Sequence, residues 1–162
     1  MVQAASRAAR LVLLAAAVAA SPATHAATVT DVLNVSATVL SSCALNGGTL
    51  SFGDYTSGQQ TDLDVDGTIN YVNCSGTLTF ALDGGTSGNI NARQMSNGAS
   101  RMNYQIYRDP TRSSIWGIGA NAQTQILLET RNGSITVYGR IPGGQVVPAG
   151  TYTDTVNITL TF

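Results

Sequence analysis

The chain has 162 residues, with eight arginines, no lysine and nine carboxylates, for a formal net charge of −1. There is no basic run and no arginine–aromatic interleaving to neutralise a phosphate backbone, which argues against nucleic acid as a partner. One histidine, His25, and one glutamate, Glu129, leave few general bases or nucleophiles, so no catalytic residues and no cofactor are expected.

The first element in chain order reads as an export signal. Arg7 and Arg10 precede the apolar run "LVLLAAAVAA", and Ser21-Pro22-Ala23-Thr24-His25-Ala26 follows it, with the small residues Thr24 and Ala26 where a signal peptidase reads. Residues 1–26 are thus expected to be removed, and the mature chain to begin near Ala27. The run is roughly half of the ~20 apolar residues a spanning helix needs, so no membrane insertion is expected. What remains suffices for one domain and is too short for two. It carries six arginines, eight aspartates and one glutamate, and no histidine. Cys43 and Cys74 are the only cysteines, and in an exported chain a single disulfide is the default reading. A metal site would need histidine or further thiolates, and the histidine leaves with the signal.

Helical periodicity is nearly absent from the mature chain, and strand patterns dominate. Residues 29–39 alternate, with Val29, Leu33, Val35, Ala37 and Val39 on one face and Thr28, Thr30, Asn34, Ser36 and Thr38 on the other; Asp31 is the polar break on the apolar face. Further strands are predicted at 49–52, 68–74, 77–82, 102–107, 124–129 and 134–141. Turn signals punctuate them at Asn46-Gly47-Gly48, Asp66-Gly67, Ser75-Gly76, Asp83-Gly84-Gly85, Asn97-Gly98, Asn132-Gly133 and Pro142-Gly143-Gly144. Many short strands at this spacing predict an all-β sandwich of the immunoglobulin-like type.

The last predicted strand is the most regular. Tyr152, Val156, Ile158, Leu160 and Phe162 alternate against Thr151, Thr153, Thr155, Asn157, Thr159 and Thr161. With no strand after it to pair with, this one is expected to leave a long, one-sidedly apolar edge. The alternating segment ahead of the first cysteine could fill such a vacancy in another copy.

Cys43 followed by "LSFGDY" (50–55), Cys74 closing a strand, "MNYQIYRD" (102–109), Trp116 and "PAGTYTDTVNITLTF" (148–162) together resemble the spore coat protein U domain family, whose members include subunits of archaic chaperone–usher pili. The resemblance covers most of the mature chain. It implies an incomplete immunoglobulin-like β-sandwich completed by a donor strand from a neighbouring subunit. It also implies a periplasmic chaperone and an outer-membrane usher as partners, and a homopolymer or related pilus subunits as the product. Carried over, residues 27–41 form the donor-strand segment, residues 42–162 the pilin-like domain, and Cys43 and Cys74 its disulfide. The strand holding Tyr152, Val156, Ile158, Leu160 and Phe162 forms the acceptor and chaperone-binding edge. The expected destination is a cell-surface fibre or the medium, reached through the periplasm, with a role in adhesion or biofilm formation.

Other chemistries weigh less. Asp62, Asp64, Asp66 and Gly67 mimic the opening of a calcium loop, but its twelfth position is Asn73, which lacks the bidentate carboxylate, so no metal is expected. Trp116, Tyr104 and Tyr107 could stack on sugar; Tyr104 and Ile106 alternate on one face, and Tyr104 and Trp116 read better as core. Two alternative functions stay open: a protective spore or cell coat protein, and a secreted sugar-binding module.

Overall fold

The computed structural model describes residues 27–40 and 42–162; the predicted export signal at 1–26 lies outside the described residues. The chain divides into two units, Met1–Ala37 and Thr38–Phe162. Residues 27–37 of the first unit carry no regular secondary structure and are exposed.

The second unit is all-β. Its strands are β1 (Ala44–Thr49), β2 (Leu63–Leu82), β3 (Arg93–Asn97), β4 (Ser100–Tyr107), β5 (Gln123–Ile141) and β6 (Ile158–Thr161). The sheet order is β1-β2-β5-β4-β3, with β6 also on β2, and every pairing is antiparallel.

Two strands span the whole unit where four short ones are predicted. The segments 68–74 and 77–82 merge into β2, and 124–129 and 134–141 merge into β5. Ser75-Gly76 and Asn132-Gly133 are not hairpin turns. They sit where the β2–β5 register shifts, between Tyr71 and Gly76, with Asn73 at φ +53° and Gly76 at φ +80°. Positive-φ residues therefore do serve there, as a bulge rather than a reversal.

The bulge has a packing consequence. Before it the inward residues of β2 are odd-numbered, Ile69 and Tyr71; after it they are even-numbered, Cys74, Leu78, Phe80 and Leu82. An unbroken alternation would have turned one half outward. The irregularity bends the sheet while both halves keep facing one core, which also holds Ile106, Trp116, Leu127, Val137 and Ile141. Along the edge of β2 opposite β5, β1 pairs over Thr68–Val72 and β6 over Thr79–Leu82.

Other sequence signals meet mixed outcomes. Asn97-Gly98 does open the β3–β4 hairpin, with Gly98 at φ +57°. Asp66-Gly67 lies inside β2, and a Cβ on Gly67 would stand 2.2 Å from the Thr49 carbonyl, so the glycine serves close strand approach. Gly47 bulges β1 instead of turning it. The strand predicted at 49–52 begins earlier and stops at Thr49. β3, with Arg93 and Met95 inward, is absent from the sequence reading. Trp116 is fully buried and its indole N–H donates to the Phe80 carbonyl at 2.9 Å, and Tyr104 and Ile106 are buried, so these three are core as predicted. The disulfide joins Cys43 to Cys74, tying the entry of β1 to the bulge of β2.

Candidate functional site

Two stretches of mostly irregular backbone form the walls of a groove over this core, apolar at one end and mixed in polarity at the other. The first wall follows β1 through residues 48–57; the second runs through residues 147–158 into β6. Gly48–Phe52 and Tyr152–Ile158 enclose a cavity of about 290 Å³ over Ile69, Leu82, Met95, Tyr104, Ile106 and Val137. It continues into a cavity of about 570 Å³ between Leu50–Ser57 and Val147–Tyr152, over Met95, Met102 and Ile141. Early residues of one wall face late residues of the other, so the walls run antiparallel.

The second wall contains most of the predicted acceptor edge. Only Ile158–Thr161 of that predicted strand is regular, because residues 151–157 cross from β3, where Thr153 pairs singly with Ser96, to β2, where β6 pairs. Alternation of burial nevertheless persists: Tyr152, Val156, Ile158 and Leu160 are half-buried against the core while the threonines between them are exposed. Tyr152, Val156 and Ile158 line the groove; Leu160 packs beside Phe80 through the β6–β2 pairing, and Phe162 is 56% exposed.

A polar cluster fastens this wall. Asp83 accepts from the Asn157 backbone N–H at 2.9 Å, the Asn157 amide at 2.6 Å and the Gly85 N–H at 2.9 Å. Asp154 accepts from the Thr86 N–H at 2.8 Å, the Thr86 hydroxyl at 2.5 Å and the Tyr104 hydroxyl at 2.6 Å. Burial pushes both carboxyls up, but these hydrogen bonds outweigh it and hold each below the usual aspartate range. Behind them Arg93, fully buried, donates to the carbonyls of Asp83 at 2.6 Å and Trp116 at 2.8 Å and to Gln105 Oε1 at 2.6 Å. Among the described residues no buried side-chain polar atom lacks a partner. This hub leaves no sequence signature, since its partners are mostly main-chain carbonyls brought together by the fold.

At one end the two walls meet. Ser57 Oγ donates to the Val147 carbonyl at 2.9 Å and accepts from the Val147 N–H at 3.0 Å. The Tyr55 hydroxyl donates to the Pro142 carbonyl at 3.2 Å and accepts from the Gln145 N–H at 3.1 Å, and the Gly58 N–H donates to the Gln145 carbonyl at 2.8 Å.

The aspartates that mimic a calcium loop, Asp62 just before β2 and Asp64 and Asp66 within it, face arginines. Arg140 reaches Asp64 at 2.7 Å and Asp62 at 3.2 Å, and Arg112 reaches Asp66 at 2.8 Å and Asp64 at 3.3 Å. The hydrogen bond from Arg140 is the chief cause holding the Asp64 carboxyl low. Among the described residues no group of three or more histidine, cysteine or acidic side chains is placed to hold a metal ion. The predicted donor residues Val29, Leu33, Val35, Ala37 and Val39 are all exposed, as are Val32 and Leu40, which the alternating pattern does not select.

Fold and groove together define an immunoglobulin-like all-β subunit whose core is covered on one side by separated walls. Residues 29–159 match the Spore Coat Protein U domain, and the chain belongs to that family. It is 36% identical to "Protein U" of Myxococcus xanthus over 164 aligned positions, covering 90% of each protein. It is also similar in structure to a chain of the CsuC–CsuE chaperone–tip adhesion subunit pre-assembly complex from the archaic chaperone–usher Csu pili of Acinetobacter baumannii. That match has a TM-score of 0.54 and 21% identity, over 77% of this chain and 41% of that one. This chain therefore spans about two-fifths of the Csu chain, and the likeness is one of fold. The P pilus rod subunit PapA aligns with a TM-score of 0.49 and 18% identity, over 74% of this chain and 97% of PapA.

Proposed function

We propose that this chain is a structural subunit of a secreted chaperone–usher pilus and polymerises by donor-strand exchange. Residues 27–41 are the donor segment, residues 42–162 the acceptor domain, and residues 1–26 the export signal. Val29, Leu33, Val35, Ala37 and Val39 of one copy enter the groove of the next, beside Tyr152, Val156 and Ile158. One observation carries this reading: the chain holds both a groove with half-buried walls, apolar over Ile69, Leu82, Ile106 and Val137, and an exposed alternating segment of matching chemistry. Exposed apolar surface of this kind is costly in water, and each valine or leucine inserted is worth about 1.5–3 kcal/mol.

Before assembly a periplasmic chaperone would cover the groove and the edge through Leu160 and Phe162, and an outer-membrane usher would pass subunits to the surface. The resulting fibre would support adhesion or biofilm formation. The family's description supports a second reading, a protective coat around a dormant cell, which predicts the protein in the coat of resting cells rather than in fibres on growing ones. The buried Trp116 offers no stacking face, which takes away the main support for a sugar-binding module.

Strand exchange is tested by moving residues 28–39 to follow Phe162 through a short flexible linker. The segment should then fill its own subunit's groove and give a monomer of raised melting temperature. A permuted chain that still forms fibres, or a monomer no more stable than the chain lacking residues 28–39, would sink the mechanism.

A further inference from the structure

Alternation decides which face of an incoming strand points inward but not how far along the groove it lies. A slip of two residues restores the same face. Val29, Leu33, Val35 and Val39 are of similar bulk, while the small Ala37 and the polar break at Asp31 disfavour the slips that would carry Asp31 deep into the groove. That preference rules out some registers but gives the strand no fixed end-point, which a contact at the end of the groove would supply.

The two ends of the groove differ. At one end the walls diverge onto separate stretches of β2, Thr68–Val72 for β1 and Thr79–Leu82 for β6. At the other end they are joined side chain to backbone. Ser57 uses both the N–H and the carbonyl of Val147, and Tyr55 with Gly58 uses the N–H and the carbonyl of Gln145. Those are the main-chain groups to which an inserted strand would have to bond in order to continue along the wall.

We propose that the clasp of Tyr55 and Ser57 on Pro142, Gln145 and Val147 is a stop that fixes the register of the strand donated by a second copy. This rests on the donor-strand reading above. Ladder pairing ends before Val147 because its partners there are already taken, and the strand comes to rest in the one register that fills the groove up to that point. Tyr55 and Ser57 are thereby positioning residues for assembly and need not touch the apolar face of the donor.

The test uses fibres of the full chain carrying Asn34→Cys together with a second cysteine at Thr151, Thr153, Thr155, Asn157 or Thr159 in turn. All these positions are exposed and lie outside the inward rows. Opposed outward residues of adjacent strands come close enough to form a disulfide. With the clasp intact, one pair should cross-link between subunits about tenfold more than the others, as a single register requires. In Tyr55→Phe/Ser57→Ala, cross-links should spread to neighbouring pairs two residues away. Tyr55→Phe with Ser57→Thr, which restores the hydroxyl at Val147, should narrow them again.

The proposal is overturned by a spread of cross-links in the intact clasp, or by an unchanged single pair in the double variant. If no pair cross-links between subunits in any background, donor-strand exchange itself fails and the stop falls with it. That outcome is distinct from register change, because fibres joined by donated strands must cross-link somewhere along this wall.

Discussion

Residues 29–39 and residues 151–162 carry nearly the same sequence signature, valines, leucines and isoleucines alternating with threonines and asparagines, yet they meet opposite fates. The first stretch has no regular structure and leaves Leu33 86% and Val35 84% exposed. The second is half-buried on its apolar side, bonded to β2 and β3, and pinned by Asp83 and Asp154. Alternation declares that a segment can cover an apolar surface. Whether it does so within its own subunit depends on whether polar groups elsewhere are placed to hold it.

The sharpest way to break the comparison is to make the N-terminal segment unfit for burial while leaving the C-terminal one alone. Val35→Asp should abolish fibres, since an unpaired carboxylate would have to be desolvated in the neighbour's groove. The isolated subunit should keep its parent melting temperature, because Val35 is exposed there. Assembly by electron microscopy and melting by circular dichroism check the two halves, and fibres of normal yield would count against the donor assignment.

The reverse experiment attacks the pinned segment. Arg93→Met removes the buried donor to four main-chain carbonyls and a counter-charge for Asp83 and Asp154. Each buried carbonyl left without its donor costs about 1–3 kcal/mol, and several are left at once. Denaturant unfolding should show that cost, whereas Leu33→Ala should leave the subunit's unfolding curve unmoved.

A smaller effect is expected from Cys43→Ser. The bridge to Cys74 spans 31 residues, and opening a loop of that size costs roughly 3 kcal/mol in the chain-entropy picture. The periplasmic level of subunit should fall, and an unchanged level and fibre count would contradict it.

Mild acid gives the smallest and most graded contrast. Asp83 and Asp154 have folded pKa values lowered below the ordinary aspartate value, their hydrogen bonds outweighing burial. Their contribution is therefore present above the unfolded pKa of about 3.9 and is lost as pH falls through that value toward the folded ones. Proteolysis or hydrogen exchange should show residues 153–157 loosening below about pH 4, ahead of the β2–β5 core. Asp154→Asn should blunt the dependence.

Sequence alone was enough for the all-β class and for the burial of Trp116, Tyr104 and Ile106, because side-chain period and composition are local properties. The cysteine pair followed from there being only two in a chain expected to be exported. The alternation of Tyr152 to Leu160 was legible for the same reason and survives even where the backbone is not a regular strand. The length of β2 and β5 was not legible: Ser75-Gly76 and Asn132-Gly133 demand unusual backbone, but a bulge and a hairpin use the same residues, and only the pairing partner decides between them. Arg93 was missed because its carbonyl partners carry no residue-type signature. The groove was likewise decided by tertiary structure, since a groove is a distance between two walls, residues 48–57 and 147–158, that lie about ninety residues apart in the chain and meet only in the fold.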